Sequence, residues 1–172
     1  KSFIEKCKSN GQIGGIYWTP FTDWARDPER TVDAAPEYKY KDIYLYANGK
    51  PQELDGAYAV DPTHPAVEAM MKKTSGLFHR AGFEYVKMDF MTHGAMEADK
   101  WYNPEITTGI QGYNYGMKLL NQYFGDMYIN LSISPVFPAQ YAQSRRIACD
   151  AWNQIKDTEY TLNALSYGWW QK

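Results

Sequence analysis

Two short patterns in this chain of 172 residues bring charged side chains together with the spacing of a strand. In Tyr85-Val86-Lys87-Met88-Asp89-Phe90, alternation puts Tyr85, Lys87 and Asp89 on one face and Val86, Met88 and Phe90 on the other. A lysine this close to a carboxylate favours its ionised form, the state a nucleophile needs. In Arg146-Ile147-Ala148-Cys149-Asp150, the same alternation groups Arg146, Ala148 and Asp150 against Ile147 and Cys149. Two strands that each end in a carboxylate and a base on one face supply a nucleophile and a proton donor. Double displacement at a glycosidic bond requires that pair. Asp89 is the candidate nucleophile and Asp150 the candidate general acid/base, with Arg146 aimed at substrate hydroxyls and Trp152 a candidate substrate-binding ring. Arg146 favours ionised Asp150, an influence opposed by the charge of the nucleophile and by rings such as Trp152. The plainer alternative is two structural ion pairs, each satisfying itself.

Positioning such groups takes strands with helices between them, and the chain reads that way. Residues 1–10 place Phe3, Ile4 and Cys7 on one helical face and stop at Asn10-Gly11. Gln12 to Trp18 is a short apolar strand closed by Pro20. Residues 19–64 form a long polar excursion, in which Ile43-Tyr44-Leu45-Tyr46, Asn48-Gly49 and Ala57-Tyr58-Ala59-Val60 suggest paired strands. Asp61-Pro62-Thr63-His64-Pro65 supplies an acid, a capping hydroxyl and an early proline to a helix carrying Val67, Met70, Met71, Thr74, Leu77, Phe78 and Ala81 up to Gly82. A strand over 84–90, a helix through Tyr113, Met117, Leu120 and Phe124, a strand over 127–131, a strand over 146–150 and a helical face of Ile155, Thr158, Leu162 and Leu165 complete the order. Such alternation predicts a parallel α/β fold, either a doubly wound sheet or part of a (β/α)8 barrel. No Gly-rich phosphate loop follows a strand, so a dinucleotide site has no anchor.

Composition narrows the function classes. With 44% hydrophobic and 22% charged residues, the chain is an ordinary globular one. Its 18 basic and 20 acidic residues are interspersed, which argues against nucleic acid and membrane-surface partners. No apolar run approaches the roughly 18 residues of a membrane span. Cys7 and Cys149 lack metal or disulfide spacing and read as small buried side chains, and His64, His79 and His93 stand in unrelated contexts, so no cofactor or metal is expected. Fifteen tyrosines and six tryptophans exceed what a core demands and suit the flat apolar faces of sugars, making carbohydrate the expected partner. The start at Lys1 is that of a processed product or a piece of a longer chain; the compartment stays open, with an extracytoplasmic one compatible.

Gly15-Ile16-Tyr17-Trp18, Asp61-Pro62-Thr63-His64-Pro65, Tyr85-Val86-Lys87-Met88-Asp89-Phe90 and Arg146-Ile147-Ala148-Cys149-Asp150 occur in an order that resembles the α-galactosidase (melibiase) clan of retaining glycoside hydrolases. The resemblance implies a (β/α)8 barrel of which this chain is roughly strands three to six. It implies Asp89 as nucleophile, Lys87 as a sugar contact, Asp150 as acid/base, Arg146 gripping the sugar and Trp18 as an aromatic wall. Two departures leave the sugar open. Leu131-Ser132-Ile133-Ser134-Pro135 stands where the family commonly has a Cys or Glu reading ring hydroxyls, and the family's earlier acidic pair falls outside the chain. A non-catalytic carbohydrate-binding relative and an α-galactosyl transglycosidase are the alternatives. A barrel takes roughly 250 residues, so residues 1–172 are expected to be an incomplete catalytic domain, inactive alone. Unpaired edge strands would invite association, and a homo-oligomer is one outcome.

Overall fold

A computed structural model describes residues 2–146, 150 and 152–168. Helix α1 (Phe3–Ser9) starts from a capping box: the Glu5 N–H donates to Ser2 Oγ at 3.2 Å and the Ser2 N–H to the Glu5 carboxylate at 2.7 Å. Strand β1 (Gly15–Trp18) follows, and the chain then leaves the sheet. The excursion holds β2 (Thr22–Asp23), a helical turn α2 (Tyr40–Ile43), β3 (Tyr46–Ala47), β4 (Lys50–Pro51), β5 (Glu53–Leu54) and β6 (Ala57–Ala59). The extended run expected at 43–46 is divided: Ile43 closes α2, and Tyr44 forms an isolated bridge to Val60. Two two-residue hairpins organise the rest. Asn48-Gly49, at φ 52° and 72°, joins β3 to β4, and Asp55-Gly56, at φ 53° and 84°, joins β5 to β6. Both turns need a left-handed backbone at each central residue, which matches the twist of the strands.

The chain then alternates as expected. It runs through α3 (Pro65–Ala81), β7 (Tyr85–Met88), a 3-10 helix (Met91–Ala95), α4 (Gly109–Phe124), β8 (Tyr128–Leu131), β9 (Ser144–Arg145) and α5 (Ile155–Gly168). The cap of α3 is His64 rather than Thr63, with Nδ1 accepting from the Ala66 N–H at 3.1 Å. Thr63 instead donates from its N–H and its hydroxyl to Asp61 Oδ1, at 2.8 and 2.7 Å, while Asp61 Oδ2 takes the Tyr102 N–H at 2.6 Å. That acid therefore pins the loop before α4 instead of serving the helix.

Four parallel strands make the main sheet, in the order β1-β7-β8-β9. One face carries Val86, Met88, Ile129 and Leu131, all fully buried beneath Val67 and Met71 of α3 and Met117, Leu120 and Phe124 of α4. Each such side chain contributes about 1.5–3 kcal/mol by leaving water. The last strand lies earlier than the expected 146–150. The Arg146 N–H completes its ladder by donating to Leu131 O at 2.8 Å, while Ser132 faces the other neighbour, its carbonyl accepting from the Met91 N–H at 3.4 Å. Ile147, Ala148 and Cys149 of the expected strand lie outside the described residues. Cys7 is partly exposed rather than buried, because no residue of α1 is fully covered.

Phe21 nails the excursion to the sheet. It is fully buried against the 3-10 helix and α4, and a Cβ on Gly94 or Gly116 would fall 2.5 and 2.8 Å from its ring. Only glycine permits that approach. His93, also fully buried, ties the same two parts together: one ring nitrogen lies 3.0 Å from Phe90 O and the other 2.8 Å from Leu54 O.

Candidate active site

The register decides which side chains meet. Tyr17, Lys87, Asn130 and Ser144 are lateral neighbours, as are Trp18, Met88, Leu131 and Arg145 one residue on. Since faces alternate, the first row lies away from the α3 and α4 layer and the second lies against it. Asp89, Ser132 and Arg146 each follow one residue after the second row and so return to the first face, at the C-terminal ends of the strands. Ladder bonds persist this far: Asp89 N–H donates to Trp18 O and Ser132 N–H to Met88 O, both at 2.9 Å.

Asp89 is 5% exposed, yet it holds several donors. The Phe90 N–H reaches Oδ1 at 2.8 Å, and the Lys87 ammonium lies 3.2 Å from Oδ2. Burial by itself would raise its pKa, but the Phe90 N–H, the Ser132 hydroxyl and Lys87 together outweigh it and hold the carboxyl below its ordinary value. Phe90 adopts φ 55°, a left-handed conformation that is strained for a phenylalanine. In it the Phe90 ring meets Trp24 of the excursion edge-on, with centroids 4.7 Å apart.

Arg146 donates from Nη1 to Asp150 Oδ1 and leaves the Asp150 side chain open to solvent. Tyr17 stands beside the Lys87–Asp89 pair. It is 51% exposed, its ring lies 5.5 Å from the Lys87 ammonium, and its phenol is pushed up by burial, then by the charge and hydrogen bonding of Asp89, and also by the charge of Asp150.

Trp18 does not join this group. It points the other way and stacks on Phe124, with centroids 5.5 Å apart, and meets Phe78 edge-on at 6.4 Å. The reason is register: Trp18 pairs with buried Met88, and Tyr17 pairs with Lys87. Tyr17 is therefore the aromatic group beside the carboxylates. Strand alternation aligned on Lys87 would have found it. Trp152 is 71% exposed, and its backbone N–H donates to Asp157 Oδ2 at 3.1 Å. Ser132, fully buried, is a second residue that sequence reasoning did not assign to the site. Among the described residues no cluster of His, Cys, Asp and Glu could hold a metal, and no helix is long and apolar enough to cross a membrane.

No protein-family model and no curated protein matches the chain. Solved structures do. TtGalA, an α-galactosidase from Thermus thermophilus in complex with stachyose, aligns at 21% identity over 92% of this chain and 34% of its own, with a TM-score of 0.67. The α-galactosidase AgaA from Geobacillus stearothermophilus, in complex with 1-deoxygalactonojirimycin, aligns at 15% identity over 96% of this chain and 23% of its own, with a TM-score of 0.60. An isomalto-dextranase from Arthrobacter globiformis, complexed with panose, aligns at 19% identity over 87% and 27%, with a TM-score of 0.55. At such identities the likeness is one of fold. The chain is a mixed α/β unit with a parallel sheet like that of α-galactosidases, and it spans about a third of the length of TtGalA.

Proposed function

We propose that β1, β7, β8 and β9 are the third to sixth strands of a (β/α)8 barrel, and that the barrel is a retaining α-glycosidase acting on terminal α-galactosides or a related α-linked sugar. Asp89 attacks the anomeric carbon while the bond to the leaving oxygen breaks, and Asp150 gives that oxygen its proton. A β-linked glycosyl-enzyme results. Asp150 then takes a proton from water, the water oxygen displaces Asp89, and the product regains the α configuration. Lys87 keeps Asp89 ionised and lies free enough to touch a sugar hydroxyl, Arg146 orients Asp150, and Tyr17 forms the wall beside them. Both half-reactions balance with the two carboxylates and water alone.

The observation that carries this reading is the state of Asp89. It is buried at the C-terminal end of a central parallel strand, yet surrounding donors favour its charged form, and it shares its face with the Arg146–Asp150 pair. Barrel enzymes place their reacting groups at that end. The test is turnover of a panel of aryl α-glycosides by the intact protein, with the first-formed anomer followed by NMR. Release of the α-anomer is expected. Binding without turnover would favour a non-catalytic carbohydrate-binding protein, and a β-anomer would overturn the retaining mechanism.

A further inference from the structure

Ser132 sits in a place that its surroundings have constrained heavily. It follows β8 directly, so it is the lateral neighbour of Asp89 one step beyond the Met88 and Leu131 pair. Its side chain is fully buried, and its hydroxyl has no hydrogen-bond partner among the described residues. A buried hydroxyl without a partner costs about 1–3 kcal/mol, so the donor needs an acceptor beside it. The backbone around it is clamped. Its N–H donates to Met88 O at 2.9 Å, and its carbonyl accepts from Met91. The next residue, Ile133, is held at φ 45°, an unfavourable conformation for a β-branched side chain. Thr92 secures that conformation twice, donating from its N–H and from its hydroxyl to Ile133 O, each at 2.7 Å.

Given the nucleophilic role proposed for Asp89, on which this inference rests, we infer that Ser132 is its positioning residue. The Ser132 hydroxyl donates its one proton to the Asp89 carboxylate, and the Thr92–Ile133 clamp aims it there. The hydroxyl adds a third donor to those from Phe90 and Lys87, and it is a neutral one. The titratable groups around that carboxylate are Lys87 on its own strand and Tyr17 on β1, with Arg146 and Asp150 beyond Tyr17. Lys87 and Tyr17 are partly exposed, and Ser132 is the fully enclosed member of the set. Strain in the backbone beside a reacting group is understandable if it holds that group's donor in place.

The test compares Ser132→Ala with the parent in the intact protein, following the acid limb of kcat/KM on an aryl α-glycoside and the Asp89 carboxyl carbon by 13C NMR, assigned with Asp89→Asn. Loss of a hydrogen bond to the charged form moves both titrations to higher pH, and kcat/KM on the acid side falls by about tenfold. Thr92→Val keeps the serine but releases one of the two ties, and it moves both in the same direction by less. It serves as the readout if Ser132→Ala does not fold. Unchanged titration of the Asp89 carboxyl in whichever of these variants folds overturns the proposal. A wild-type protein without turnover whose Asp89 carbon still shifts in Ser132→Ala would instead overturn the glycosidase reading and leave the contact standing.

Discussion

Tyr17 and Lys87 are register partners across the β1 and β7 ladder, and the Lys87 ammonium lies 5.5 Å from the centroid of the Tyr17 ring. One residue further, Trp18 partners Met88 and turns into the helix layer. Adjacent aromatic residues therefore have opposite jobs, one facing the charged groups and one filling the core.

Substitutions separate those jobs. Trp18→Ala removes a ring stacked on Phe124 and edge-on to Phe78, and is expected to cost about 3 kcal/mol in chemical denaturation of the intact protein. Tyr17→Ala, at a half-exposed position, is expected to cost less than about 1 kcal/mol while lowering kcat/KM on aryl α-glycosides by tenfold or more. The opposite pattern, with Trp18→Ala stable and poor in sugar binding, would restore Trp18 as the aromatic wall.

The two carboxylates should fail differently. In Asp150→Ala, substrates with good leaving groups should form the glycosyl-enzyme at near-parent rates, because they need little protonation, while poor leaving groups are lost. A structure of the intact protein should place the Asp89 and Asp150 carboxyl groups nearer to about 5.5 Å than about 9 Å apart, since no water must fit between them. Equal loss across all leaving groups would remove Asp150 from its role.

A pH dependence of stability follows from His79 and Asp126, which meet at 2.7 Å between α3 and the turn after α4. The Asp126 carboxylate, then the Ser75 carbonyl, hold the His79 pKa above its ordinary 6.5. The imidazole in turn holds Asp126 below its ordinary 3.8. The histidine contribution is complete below 6.5 and disappears as pH rises through the raised value, and the aspartate contribution is complete above 3.8 and disappears as pH falls through the lowered one. Both contributions are complete between those two values. Because the pair is largely exposed, it is worth at most about 1 kcal/mol. The stability deficit of Asp126→Asn should peak in that window and shrink at alkaline pH. A deficit that grows above neutrality would contradict the assignment.

Local period made part of this legible in the sequence. Helices α3 and α4 repeat their apolar residues over several turns and end at Gly82 and Gly125, and the Lys87 and Asp89 face follows from simple alternation. Other features are not local. Strand β9 has two residues, too few to show a period, so alternation read from Arg146 onward groups Arg146 with Asp150 but leaves Arg145 unassigned until the ladder with β8 places it. Arg145 goes to the helix side, where Nη1 donates to Pro135 O and Val136 O, and Arg146 goes to the carboxylates. The ties from His93 to Leu54 and from Asp61 to Tyr102 span 39 and 41 residues, and nothing in either segment announces its partner. Ser132 was visible as a residue type out of place, but its nearness to Asp89 is a product of the β7 and β8 register.

The most direct test of Asp89 as nucleophile is azide rescue of Asp89→Ala on an aryl α-glycoside with a good leaving group. With the carboxylate removed, azide enters the space it vacated and attacks from the same face of the sugar. Activity is expected to be nearly abolished without azide and partly restored with it, and NMR of the product should show a β-configured glycosyl azide. An α-configured azide, or rescue of Asp150→Ala but not of Asp89→Ala on this substrate, would contradict the assignment.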